Sequence, residues 1–309
     1  MAALQREGTA MSIRDAHAAA HAAAHYVRHR LHYLHCPPNR PMPAMPAESP
    51  PELHRQTRPA AAFVALTEAG LHRIEACIDL LLQRDEVEDV HDLRVAARHL
   101  RAVLWIFGPA LPRRVTTRWK RDLRNLAGAA GDVRDWDVFL AETLQPAQEL
   151  QPGDPVLAAL IGTVRARRGL ARETMVARLT EYRHWPLPAL HRDLAHLSAH
   201  ADSGPGQLGK FAPKRVRKAR GRLRKLMQAA ADGELRTVHR ARIAGKRLRY
   251  AIESLEPVLP ARYTKRLHKK LVKRQGRLGR IVDGNVARRL MAECLMMPEP
   301  GQYGWPEAR

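Results

Sequence analysis

One relation inside the chain limits its fold more than any other. The segment VHDLRVAARHLR at 90–101 returns as VHRARIAGKRLR at 238–249, 148 residues later. The same offset then holds without a gap. Pro109, Leu111 and Pro112 match Pro257, Leu259 and Pro260, and Arg114, Thr116 and Arg118 match Arg262, Thr264 and Arg266. Leu123, Gly128, Gly131, Asp135 and Val138 meet Leu271, Gly276, Gly279, Asp283 and Val286. Over 90–138 against 238–286 there are 17 identities in 49 positions, so one structural unit is expected twice. Upstream, Phe63 and Glu86 face Phe211 and Glu234 at the same spacing.

Each unit reads as helical. AFVALTEAGLHRIEACIDLLL predicts one amphipathic helix, with Leu66, Ile74, Ile78 and Leu81 along one side. Val90–Phe107 predicts a second, ended by Gly108-Pro109, a third runs over about 112–128, and a fourth starts near Asp132. Another long helix is expected over 155–182, broken by HWPLPAL, and DSGPG at 202–206 reads as a turn. No sustained period-2 alternation appears. The expected fold is all-α: two pseudo-symmetric antiparallel four-helix bundles from the internal repeat.

The repeated residues are mostly basic, and they share faces. On a helical wheel His91, Arg94, Arg98 and Arg101 fall within an arc of about 80°, apart from Leu93, Ala97, Leu100, Leu104 and Phe107, which suit a core. The second copy places His239, Arg242, Lys246 and Arg249 on one side and Leu248, Ala251, Ile252 and Leu255 inward. The following helices repeat the device, with Arg114, Arg118 and Arg121 matched by Arg262, Arg266 and Lys269. Cations three and four residues apart repel one another on a helix. A single such face is commonly just solvated. Four in register through a duplication point to an extended anion between them. Arg offers planar forks for phosphate oxygens, Lys a point charge, and His a donor that a phosphate can convert to a cation.

Composition agrees with that partner class. Fifty-three Lys and Arg stand against 31 Asp and Glu, a formal charge of +22, which selects for polyanions. From Lys210 to Arg289 there are 26 basic residues and 5 acidic ones, so the second repeat is expected to dominate binding. Three cysteines without a CxxC pair argue against a disulfide framework or a thiolate zinc site. The longest apolar run is broken by Asp79, so no bilayer span and no membrane insertion are expected. Neither a Walker loop, GxSxG, HExxH nor an ExExK-type strand motif occurs, and the chain is expected not to be an enzyme. No cofactor and no metal are expected. Asp135 and Asp137 fit a metal-binding carboxylate pair less well than helix capping or pairing with a nearby arginine. For the repeated histidines, ligand contact and hydrogen bonding within a core both remain open.

Ahead of the repeats, residues 1–35 form an Ala/His-rich extension with His17, His21, His25 and His29 four apart. That spacing suits either a metal pair on a helix or a plain Ala-rich extension, disordered or loosely helical. Residues 36–55 are expected to be a Pro-rich linker. The folded domain is then expected over 56–300, with repeat one about 60–145, connecting helices about 155–200, and repeat two about 208–297.

VHDLRVAARHLRAVL followed by LRNLAGAAGDVRDWDVFL resembles the first half of a CHAD domain (conserved histidine α-helical domain), in stand-alone form without a fused triphosphatase domain. VHRARIAGKRLRYAIE followed by KKLVKRQGRLGRIVDGNVARRLM resembles its second half. The likeness covers roughly 60–297. It implies two helical bundles about a pseudo-two-fold axis and a basic groove that binds inorganic polyphosphate without turnover. It also implies a cytoplasmic place at polyphosphate granules. By motif position the residues carried over are His91, Arg94, Arg98 and Arg101, with His239, Arg242, Lys246 and Arg249. The chain departs from the pattern at His99, where a second Arg or Lys is common, at Ala130 in place of Leu, and at Val282 and Gly284. The rival readings are a nucleic-acid-binding basic protein, for which no recognition motif and few aromatics are present, and a polyphosphate-processing phosphohydrolase or phosphotransferase.

Overall fold

The computed structural model describes residues 53–295 apart from Asp232, with backbone alone at 203, 276–283 and 295. The Ala/His-rich extension, most of the proline-rich stretch and residues 296–300 lie outside the described residues. Within them the chain is helical, with no strand. The α-helices are α1 (Pro59–Gln83), α2 (Val87–Phe107), α3 (Arg113–Phe139), the short α4 (Gln145–Leu150), α5 (Pro155–His184), α6 (Pro186–Ala199), α7 (Leu208–Ala229), α8 (Leu235–Ser254) and α9 (His268–Leu295).

Proline sets several starts, because its missing N–H falls where a helix has no internal acceptor. Pro59 opens α1 and Pro155 opens α5. Asp154 caps α5, its carboxylate accepting from Val156 N at 2.8 Å and Leu157 N at 3.2 Å. Pro186 ends α5 by starting α6 behind an exposed Trp185, as the HWPLPAL break predicts.

Two features differ from expectation. The third and fourth helices predicted around 112–128 and from Asp132 are one helix, α3. Gly128 and Gly131 fall at the expected break, yet Leu123, Leu126, Ala130 and Val133 stay buried on one side straight through them. Burial of that stripe outweighs the roughly 1 kcal/mol that each glycine costs a helix. The linker assigned to 36–55 also ends early. Leu53 is buried, and Arg55 and Thr57 carbonyls accept from Gly209 N and Leu208 N, both at 2.8 Å. A Cβ at Gly209 would stand 2.9 Å from Arg55 Cβ, so this close approach requires glycine. The segment before α1 thus stitches onto the start of α7.

α1, α2 and α3 pack in series, α5 and α6 cover α1, and α7, α8 and α9 form the second series. The two series meet where α2 crosses α8. A single apolar core runs through both, from Leu53 to Leu271. Phe107 joins them: its ring lies 6.1 Å from Phe63 and 5.6 Å from Phe211. A smaller cluster around Trp136, Phe139, Ile161, Val164, Leu290 and Met291 seats the end of α9 on α3 and α5. Fixing both series on one core fixes their polar faces relative to each other.

Candidate polyanion-binding site

The crossing of α2 and α8 is where the repeated basic residues come closest. At its centre is Tyr250, a buried ring. Arg98 Nε donates to the Tyr250 hydroxyl at 2.8 Å, and the Arg98 guanidinium carbon is 5.8 Å from the ring centroid. From the other helix the Arg249 guanidinium stands 4.7 Å from the same centroid, and its Nη1 reaches Glu253 at 3.4 Å. His99 meets Tyr250 edge-on at 6.0 Å and shares a 3.1 Å hydrogen bond with Ser254 Oγ. One aromatic ring therefore meets a cation from each repeat, contacts worth about 0.5–2 kcal/mol each depending on desolvation.

Arg94 is the most enclosed of these cations. Its Nη1 donates to Gly131 O at 3.0 Å across to α3. A Cβ at Gly131 would sit 3.3 Å from that nitrogen, so the motif glycine leaves room for the guanidinium. Burial lowers the affinity of Arg94 for its proton, and Arg98 and Arg134 lower it further against the opposing pull of Asp135 and Asp132.

Around the crossing the field is cationic and weakly compensated. Arg101 on α2 is held below its ordinary pKa by burial and then by Arg124 of α3. Arg247 on α8 is lowered by burial, then by Arg101 and Arg222. For neither does a described carboxylate offset the effect. Four helices, α2, α3, α7 and α8, thus send arginines into one neighbourhood. His91 is lowered by burial and by Arg134 and Arg98, with Glu88 and Asp92 opposing. His239 is lowered by burial, Arg242 and Lys246. Neither imidazole hydrogen-bonds among the described residues.

The remaining expected residues are placed less uniformly. Arg242, Lys246 and Arg249 are half-buried on α8, whereas His239 is exposed. Arg114, Arg118 and Arg121 line an open depression of about 370 Å³ with Arg113 and Thr117. Arg118 is nevertheless committed elsewhere: its guanidinium is bidentate on buried Asp193 of α6, with Nε at 2.8 Å, and Trp119 Nε1 reaches the same carboxylate at 3.1 Å. Arg121 pairs with Asp122 at 2.8 Å. Arg114 is exposed. The matching set is not laid out alike. Arg262–Leu267 is a π-helical turn, whose i→i+5 bonding changes the angular step, so exposed Arg262, Arg266 and Lys269 do not repeat the α-helical face of α3. Arg262 lies over the Tyr263 ring at 5.0 Å.

Asp135 and Asp137 pair with arginines and cap nothing. Asp137 is buried mid-helix, where burial pushes its carboxyl up and Arg168 Nε, 3.0 Å away, pulls it down. Asp135 meets Arg289 at 3.3 Å. Among the described residues no group of three or more His, Cys, Asp and Glu could hold a metal, and no helix is long and apolar enough to cross a membrane.

Sequence reasoning missed Arg124, Arg134, Arg222, Arg247 and Tyr250. Arg247 stands 148 residues after His99, and that mismatch was the available signal. Tyr250 falls opposite Ala102, so the repeat gave no sign of it.

Fold and site together define an all-helical, polycationic domain whose two histidine-bearing helices cross at a shared tyrosine. A CHAD domain family model matches residues 65–292, and the chain belongs to that family. Among solved structures it is similar to the CHAD domain from the plant Ricinus communis, at 27% identity and a TM-score of 0.67, over 81% of this chain and 83% of that one. It shares its fold with PptA from Streptomyces chartreusis at 18% identity and a TM-score of 0.60, over 79% and 88%. No curated protein matches the chain.

Proposed function

We propose that the protein binds inorganic polyphosphate, without turning it over, along the basic surface where α2 crosses α8, and that it does so in the cytoplasm at polyphosphate granules. One observation carries the reading: Arg247 of the second repeat lies in the field of Arg101 of the first, and Arg101 in that of Arg124, with no described carboxylate offsetting either. Clustered like charges are costly in the free protein, and a polyanion relieves that cost on binding. Arg98, Arg249, His91 and Arg94 extend the same cationic neighbourhood along α2 and α8. The polymer's identity comes from the family resemblance. Among the described residues this surface offers forks and point charges for phosphate oxygens and no exposed aromatic platform for bases, which favours a phosphate polymer over a single-stranded nucleic acid.

The test is a titration with labelled polyphosphate of the parent protein and of a variant carrying Arg98→Glu and Lys246→Glu. The parent should bind tightly and the variant should lose about two orders of magnitude in affinity with unchanged helix content. Equal affinities would remove the crossing from the site. Phosphate released from polyphosphate with Mg²⁺, and lost in His91→Ala or His239→Ala, would replace binding by catalysis as the activity.

A further inference from the structure

α7 carries charge that the crossing does not use. Over Leu208–Ala229 it has nine Lys and Arg and no acidic residue. Leu208, Ala212, Val216, Ala219 and Leu223 are buried, which fixes the inward face of the helix. Lys210, Lys214, Arg217, Lys218, Arg224 and Lys225 are exposed and lie on the opposite side at 100° per residue. None of the six makes an ion pair among the described residues. They run along about 22 Å of helix. α1, the helix that opens the first repeat, is different: it carries Glu68, Glu75 and Asp79 against Arg73, and α5 and α6 lie against it. α7 packs on α8, with smaller contacts to α1 and to the turn 256–258 and Arg215 reaching the end of α2, and among the described residues no helix packs on its outer face.

Two further facts decide what fits that face. Arg222, on the flank of α7, already acts on Arg247 at the crossing, so the outer row continues from the site along one helix. The apolar face of α7 is used up in the core, and its one aromatic, Phe211, is packed on Phe107. The helix therefore has nothing to insert into a bilayer and no ring on which to stack a base. We infer that the outer row of α7 is a second contact for the same polyphosphate chain, reached by a strand that leaves the crossing at Arg222 and passes around the helix. The inference rests on the function proposed above and adds a chain-length preference to it. An α-helix is about 10–12 Å across with its side chains, and Arg222 lies about 100° around it from the middle of the outer row, so the strand must cover about 9–10 Å beyond the length used at the crossing before it reaches that row. A triphosphate is too short to engage both. A long chain engages both, and the second contact gains from the effective concentration the first provides.

The experiment compares tripolyphosphate with a long chain of about 100 phosphates on the parent and on a variant with Lys214→Gln, Arg217→Gln, Lys218→Gln and Lys225→Gln. All four side chains are exposed, and circular dichroism confirms the fold. The ratio between variant and parent cancels the larger number of registers that a long chain offers. The variant should bind tripolyphosphate within about twofold of the parent and the long chain about tenfold more weakly. An unchanged long-chain affinity, or an equal loss for both ligands, would overturn the second contact while leaving the crossing intact. If the parent binds neither ligand, the proposed function itself falls, and this inference with it.

Discussion

In the first half of the molecule, away from the crossing, many arginines end on carboxylates. Arg73 reaches Asp92 at 3.1 Å and Arg84 reaches Asp89 at 2.6 Å. Arg168 bridges Asp85 and Asp137, Arg172 reaches Asp85 at 2.9 Å, Arg183 pairs with Asp79, and Arg118 with Asp193. In the second half Arg222, Arg247 and the outer row of α7 have no such partner among the described residues, while Arg249 pairs with Glu253 and Arg289 with Glu293. The same side chain does two jobs in one fold. Where aspartates are available, arginine ties α5 and α6 to α1 and α3, and its charge is spent internally. Where they are absent, packing of the shared core holds the helices and leaves the charge facing outward. A count of basic residues does not distinguish the two, but the location of their partners does.

The largest effect should separate the halves directly. Reversing Lys246 and Arg247 to Glu should weaken long-chain polyphosphate binding about 100-fold at fixed salt. Reversing Arg118 and Arg121 should leave affinity within about threefold but cost about 3–5 kcal/mol of stability, because Asp193 is left buried beside a like charge. Chemical denaturation and a binding titration on both variants would break the comparison if the effects were exchanged.

Salt should sharpen it next. Binding is driven by counterions released from the polymer, so log affinity should fall linearly with log salt, with a loss of roughly one unit of slope per phosphate contact removed. The Lys246/Arg247 variant should show the shallower line, and the Arg118/Arg121 variant the parental one. A salt-independent affinity would contradict an electrostatic site.

A smaller effect is expected from pH. His91 and His239 are held below the ordinary value of 6.5 by burial and neighbouring cations, so the free protein keeps them neutral at neutral pH. A bound polyanion favours the imidazolium, so binding takes up protons and affinity should rise as pH falls through the range near and below 6.5. Stability of the unbound protein should run the other way, because the unfolded chain accepts those protons more readily below pH 6.5. Affinity measured across this range should flatten in His91→Gln. A parental slope in that variant would take His91 out of ligand contact.

The smallest is Gly131→Ala. The new Cβ must displace the Arg94 guanidinium by a few tenths of an ångström, so affinity should drop by no more than about twofold and stability by no more than about 1 kcal/mol. A large loss in titration would mean that Arg94 is a principal contact.

Much of this was legible in the sequence, and the reasons differ from element to element. The all-helical class followed from periodicity. The inward faces of α2 and α8 followed from spacing, with Leu93, Ala97, Leu100, Leu248, Ala251 and Ile252 all buried as read. What stayed hidden was long-range or local in backbone geometry. Asp193 takes Arg118 from 75 residues away, and a wheel drawn for one helix cannot show that. The π turn at Arg262–Leu267 changes phase without any proline or glycine to announce it. α3 ran through two glycines because its buried stripe did not stop. Arg247 lies off the face shared by His239, Arg242 and Lys246, yet it stands in the field of Arg101 across the crossing.

Competition at fixed salt tests the central claim most directly. Labelled long-chain polyphosphate is bound to the parent protein and displaced with unlabelled polyphosphate or with duplex DNA, each at matched phosphate concentration. A site built for a flexible phosphate polymer predicts displacement by polyphosphate at concentrations well below those needed for DNA, and weakened binding of the label in Arg98→Glu/Lys246→Glu. Displacement by DNA at the same phosphate concentration would contradict it, and leave only a general attraction for polyanions.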